Sequence, residues 1–202
     1  MKLTLDGLSN EDMRSRLKTI VKEKSYRYGD EMTLASGKKS RHYFNMKPTM
    51  LDPDGALLIA NLMLDEVKNL GQKFDAIGGL ELGAVPIASA IAPVSALRGE
   101  PINAFIIRKK AKDHGTQSLV EGLKDDQTLS GKSIIIVEDV TTTGGSAIKA
   151  IEAVRKDGAT VAHVITILDR EEGAKEAFEE VGITLISLLK KSDFVTAGMS
   201  GQ

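Results

Sequence analysis

Ser133-Ile134-Ile135-Ile136-Val137-Glu138-Asp139-Val140-Thr141-Thr142-Thr143-Gly144-Gly145-Ser146 is the most informative stretch of the chain. Its apolar β-branched run, over 133–138, reads as a strand buried on both faces of a parallel sheet. Two carboxylates close that strand, a loop of hydroxyls and glycines follows, and Ala147 to Val154 has helical periodicity. In this order the parts make a binding site. Glycines let backbone N–H groups converge on an anion, threonines add hydroxyl donors, and the new helix N-terminus adds its dipole.

The same strand–loop–helix order recurs on both sides. Phe74 to Gly79 is a short strand running into Leu80-Glu81-Leu82-Gly83-Ala84-Val85-Pro86 and an alanine-rich helix that reaches about Leu97. The glycine loop there reads equally as a tight turn or as a phosphate contact. Ile102 to Ile107 is followed by Arg108-Lys109-Lys110-Ala111-Lys112-Asp113-His114-Gly115-Thr116-Gln117, and Ser118 to Gly122 resembles a returning arm. Such a run is either a solvated charged loop or a mobile loop that closes over a site. Thr160 to Leu168 is a strand ending in Asp169-Arg170-Glu171-Glu172-Gly173, followed by a helix over Ala174–Val181 and a last strand over Ile183–Leu188. Arg170 reads as a surface ion pair with a neighbouring acid, or as a fixed fork for a carboxylate.

Strands near 75–79, 102–107, 133–138 and 161–168 alternate with helices. The expected fold class is therefore α/β, with a doubly wound, mainly parallel sheet. Ligands of such sheets bind beyond the carboxyl ends of the strands, where every unusual cluster of this chain falls.

The N-terminal part is different. Ser9 with Asp12 three residues on opens an amphipathic helix over Met13, Leu17, Ile20 and Val21, ending near Lys24. Ser36-Gly37 between two strand-like runs reads as a hairpin turn, with basic and aromatic residues around it. It is either an exposed edge hairpin or, through Tyr43-Phe44, a set of flat faces for a planar ring. Leu51-Asp52-Pro53-Asp54-Gly55 reads as a turn before a helix over Ala56–Asn69. The 202 residues, 42% of them hydrophobic, suit a single domain over 1–202 with a small N-terminal helix and hairpin region.

Composition excludes several function classes. A net charge of −1 gives no global drive toward nucleic acid or membrane surfaces. With no cysteine there is no thiolate catalysis or cysteine metal site, and the three histidines, at 42, 114 and 163, lack zinc-like spacing. Met1 to Asp6 does not read as a signal peptide and no apolar run approaches membrane-spanning length, so a cytoplasmic protein is expected.

Neither Gly-x-x-x-x-Gly-Lys-Ser/Thr nor Gly-x-Gly-x-x-Gly occurs. Beside Glu138-Asp139, an anionic ligand must also carry hydroxyls or a cation. A ribose phosphate meets that demand, its phosphate in the Thr-Gly nest and its hydroxyls toward the acids. A magnesium ion held mainly by ligand oxygens and water would complete the charge balance.

Val137 to Ser146 resembles the phosphoribosyl-pyrophosphate (PRPP) motif of the type I phosphoribosyltransferases. Arg108-Lys109-x-x-Lys112-Asp113-His114-Gly115 resembles the catalytic loop of the orotate branch of that family. Ser36-Gly37 with Ser40 and Tyr43-Phe44-Asn45 resembles its substrate hairpin, and Asp169-Arg170-Glu171 its orotate-contacting arginine. The resemblance covers about residues 30 to 172. It implies transfer of the phosphoribosyl group from PRPP to orotate, giving orotidine 5′-monophosphate and pyrophosphate in pyrimidine biosynthesis, with Mg2+.

It further implies PRPP binding by Arg108, Lys109, Lys112, His114, Glu138, Asp139, Val140, Thr141, Thr142, Thr143, Gly144, Gly145 and Ser146. Orotate binding falls to Thr142, Arg170, Tyr43 and Phe44, under a substrate hood formed by residues 1–50. Lys112, His114 and Asp139 are the implied catalytic residues, and no side chain is assigned as a direct metal ligand. The implied partners are these two small molecules and a second copy in a homodimer with shared active sites. Nucleic acid and membranes are not among the expected partners.

Two departures stand out. Ala35 replaces a lysine that many relatives carry before the hairpin Ser-Gly, and Leu82-Gly83 replaces a Tyr-Lys pair, so the chain resembles a divergent branch. The work of those missing side chains falls to the backbone, to Lys38 or to Lys47, if to anything. Two alternatives are a phosphoribosyltransferase for another base and a non-catalytic ligand-sensing regulator on the same fold. Arg170 and the cationic loop argue for an anionic base, and no basic recognition helix precedes the hairpin.

Overall fold

The computed structural model describes residues 7–33, 39–110, 119–124 and 128–195. Helix α1 (Asn10–Lys24) begins with a capping box: Asp12 N donates to Ser9 Oγ (3.1 Å) and Ser9 N donates to Asp12 Oδ2 (3.0 Å). It buries Met13, Leu17 and Val21, the face its periodicity predicts. Strands β1 (Tyr26–Thr33) and β2 (Lys39–Phe44) form an antiparallel hairpin with Tyr26 opposite Phe44. The predicted turn at Ser36-Gly37 lies outside the described residues, as do Ala35 and Lys38.

A short helix, α2 (Lys47–Met50), leads into α3 (Pro53–Asn69). Here the sequence reading is corrected, because Asp52-Pro53 starts the helix and is not a turn before it. Asp52 Oδ1 accepts from Gly55 N (3.0 Å), and Pro53 takes a first-turn position where no N–H is needed. Ion pairs from Arg14 to Glu66 and from Lys24 to Asp52 lay α1 along α3.

The chain then builds the main sheet through β3 (Ala76–Leu80), α4 (Ala84–Leu97), β4 (Asn103–Ile107) and the two-residue β5 (Val120–Glu121). It continues through β6 (Ser133–Thr141), α5 (Gly145–Lys156), β7 (Thr160–Asp169), α6 (Ala174–Glu180) and β8 (Thr184–Lys190), then a 3-10 turn over Lys191–Asp193. The order is β5-β4-β3-β6-β7-β8, parallel except for β5 against β4. The α/β, mainly parallel, doubly wound sheet with an N-terminal helix and hairpin is thus the fold observed.

Alternation along β6 separates two cores. Ile135 and Val137 join the layer of α1, α3 and α4, whereas Ile134 and Ile136 join the layer of α5 and α6. All four are fully buried, each contributing roughly 1.5–3 kcal/mol. Strand β6 runs three residues past its predicted end, because Val140 and Thr141 keep pairing with Leu168 and Asp169. No helix among the described residues is long and apolar enough to cross a membrane.

Candidate active site

Between β3 and β6 the chain reverses its direction of progress across the sheet, since β4 lies on one side of β3 and β6 on the other. A crevice opens at the carboxyl ends of such a pair. The β3–β6 ladder stops at Gly78 opposite Ile136, while β6 continues on β7 alone. Past Val137, therefore, Glu138, Asp139, Val140 and Thr141 edge an opening. Gly83, in the loop after β3, faces Asp139 so closely that a Cβ there would meet the carboxylate. The Leu82-Gly83 departure thus has a local reason: the two loops touch where that glycine stands.

Glu138, Val140, Thr141, Thr142, Thr143, Gly144, Gly145, Ser146 and Ala147 line one small cavity of about 50 Å³. Two of its atoms are buried without a hydrogen-bond partner, Glu138 Oε2 and Thr141 Oγ1. Buried polar groups are nearly always paired, so these two oxygens mark a place for a ligand's donors and acceptors. Gly144 caps α5 in the left-handed region (φ +78), and a Cβ on it would press on the Phe178 ring at 3.1 Å. No side chain caps the N-terminus of α5, which leaves its first-turn N–H groups to an anion.

The acids carry unusual charge. Desolvation, reinforced by Asp139 next door, pushes Glu138 up to about 8, against the pull of Lys109. Asp139 is also raised, chiefly by desolvation, with Lys47 and Lys109 opposing. Lys47 on α2 and Lys109 after β4 thus send their fields to the same acid. Burial thus favours the protonated form of Glu138, in which the carboxyl can donate as well as accept.

The cationic loop leaves the sheet through a short ladder. Arg108 N donates to Leu119 O (2.8 Å), and Arg108 Nη1 pairs with Glu121 Oε1 (3.0 Å). Lys109 N donates to Glu81 Oε1 (2.9 Å), tying the loop after β4 to the loop after β3. Glu81 and Glu121 are tethers that the sequence reading missed, since neither lies in a motif. Lys112 and His114 lie outside the described residues.

The hairpin side is assembled from afar. Arg170, with only 3% of its surface exposed, donates from Nε to Glu172 Oε1 (2.8 Å) and from Nη2 to His42 O (3.2 Å) and Ser40 Oγ (3.3 Å). Its guanidinium lies 5.8 Å from the Phe44 ring. Arg170 therefore does pair with a neighbouring acid, as one of its two readings held, but inside the protein and while gripping the hairpin. Strand alternation separates Tyr43 from Phe44. Phe44 packs with Tyr26 and Phe194 at centroid distances of 4.9 and 5.4 Å, while Tyr43 is exposed on the other face. The sequence pair thus does not present two rings to one side.

A family model described as "Phosphoribosyl transferase domain" matches residues 49–191. The orotate phosphoribosyltransferase of Rhodopseudomonas palustris is 54% identical over 93% of this chain and 99% of its own length. The chain belongs to the orotate phosphoribosyltransferases. Family membership extends to tertiary structure. The Mycobacterium tuberculosis orotate phosphoribosyltransferase, solved with Fe(III) dicitrate, superposes with a TM-score of 0.77 at 36% identity, covering 91% of this chain and 99% of that one. The same enzyme solved with PRPP gives 0.72 at 33% identity, covering 90% and 98%.

Proposed function

We propose that this chain transfers the phosphoribosyl group of PRPP to orotate, releasing pyrophosphate and forming orotidine 5′-monophosphate for pyrimidine biosynthesis. One observation carries the reading: two orphaned buried oxygens, on Glu138 and Thr141, line the same cavity as the open N-terminus of α5. A ribose phosphate supplies what each lacks. Its phosphate takes the N–H groups of Thr142 to Ser146, and its hydroxyls take Glu138 and Asp139. The names of the relatives and the PRPP complex of the M. tuberculosis enzyme support the same ligand.

In this reading, binding energy aligns the orotate ring nitrogen with C1 of the ribose while the acids favour positive charge growing on the ring. Arg108, Lys109, Lys112 and His114 stabilise charge on the departing pyrophosphate. Arg170 holds the anionic base, with Thr142 beside it and the Phe44 side of the hairpin, which the guanidinium faces, next to it. Mg2+ fits the acidic strand end, whose desolvated carboxylates favour a cation. In this reading ligand oxygens and water would supply most of its shell. When bound, the ion neutralises pyrophosphate charge. We further propose a single cytoplasmic domain, residues 1–50 serving as its substrate hood, and a homodimer whose partner lends loop cations to the site.

The test is pyrophosphate release by the purified chain with Mg2+, PRPP and a panel of bases. Turnover with orotate alone supports the proposal. Turnover only with uracil or a purine overturns the base, and PRPP binding without turnover on any base points to a regulator.

A further inference from the structure

Two adjacent acids follow Arg170, and the structure puts them to different uses. Glu171, at φ +57, turns its carboxylate to the C-terminal turn, accepting from Ser192 N (2.8 Å) and Ser192 Oγ (3.1 Å). Glu172 turns inward to Arg170. Arg170 is buried and Glu172 half-buried, with side chains 3% and 12% exposed, and Oε1 takes the Nε–H while Oε2 is buried without a partner.

A buried guanidinium needs a countercharge, and an arginine fork needs one edge fixed before the other can be aimed. Glu172 fixes the Nε side. The Nη2 group is held at Ser40 Oγ and His42 O, so the guanidinium plane is pinned from two sides against the hairpin.

We propose that Glu172 is a positioning residue for the anionic base: it locks the Arg170 guanidinium plane so that Nη1, the terminal nitrogen not held by the hairpin, faces the base carboxylate. The inference rests on orotate as substrate. Glu172 touches no reacting atom, so its loss acts on base binding and leaves the PRPP side intact. A hydrogen bond to a charged group governs roughly a tenfold or larger change in affinity when lost.

The experiment is steady-state kinetics of Glu172→Ala, Glu172→Gln and Glu171→Gln, with thermal melts of each. Glu172→Ala is expected to raise the orotate KM about tenfold or more, with the PRPP KM and kcat within about twofold. Glu172→Gln keeps an acceptor for Nε and is expected to restore most of the orotate KM, even if its melting temperature falls as far as that of the alanine variant. Glu171→Gln, remote from the guanidinium, should leave the orotate KM within about twofold. Equal losses toward orotate and PRPP, or an orotate KM that tracks melting temperature across the three variants, would overturn the proposal. A wild-type chain that does not turn over orotate instead defeats the parent reading, which this comparison leaves distinguishable.

Discussion

Between Glu138 and Ser146 the groups that line the cavity come from one continuous segment, whereas Arg170 meets partners up to 130 positions away in the sequence. The loop is a local device. Strand β6 delivers the acids, Gly144 turns the chain through a left-handed conformation, and α5 starts at once behind it. The hairpin region is a tertiary device, in which the hairpin, the end of β7 and the C-terminal turn hold one another. Arg170 grips the hairpin, Glu171 grips Ser192, and Phe194 packs on Phe44 and Tyr26. On this comparison, damage at Arg170 is expected to cost stability together with base recognition, and damage to the loop to weigh mostly on PRPP.

The sharpest break would come at Arg170. Arg170→Ala strands Glu172 as a half-buried unpaired carboxylate, a loss of about 3–5 kcal/mol. Urea unfolding should show that drop together with a rise in orotate KM. A variant of wild-type stability would mean that the hairpin region does not hang on this residue.

A smaller loss is expected at Gly144. An alanine there must adopt φ +78 and push on Phe178, at about 1–3 kcal/mol. Its affinity for PRPP, measured by calorimetry, should fall by more than its affinity for orotate. Equal losses for both ligands would erase the distinction between the two regions.

The last effect is of opposite sign and belongs to Glu138. Its carboxyl is raised from 4.5 to about 8 in the fold, so between those values the unfolded chain has released a proton that the folded chain keeps. Stability from this group is therefore highest below 4.5, falls as pH rises through that window and levels off above about 8. Glu138→Gln removes the fall. Without ligand the variant should gain stability over wild type steadily as pH rises from 5 to 8. Parallel pH profiles of melting temperature would show that the acid is not desolvated as described.

Much of this was legible beforehand because parallel strands buried on both faces write themselves as apolar β-branched runs. The core strands and their glycine loops lie where the pattern puts them. Errors came where a local signal has two uses. Asp52-Pro53 serves a helix N-terminus as well as a turn, and Val140-Thr141 extend a strand because β7 is there to pair with them. Tyr43-Phe44 looked like one aromatic unit, although neighbours in a strand face opposite ways. Glu81, Glu121 and Glu172 carry no motif. Their partners are set by the sheet order, which places the ends of β3, β4 and β7 where those side chains can reach.

The sequence by itself determined the α/β fold and the local arrangement of Glu138–Ser146, because strand, nest and helix N-terminus are consecutive and need only local geometry. Only the tertiary structure decided which acid holds Arg170, why Gly83 must be small and which aromatic faces inward. Those are contacts between segments far apart in the chain, and burial, not composition, selects among the partners that the sequence permits.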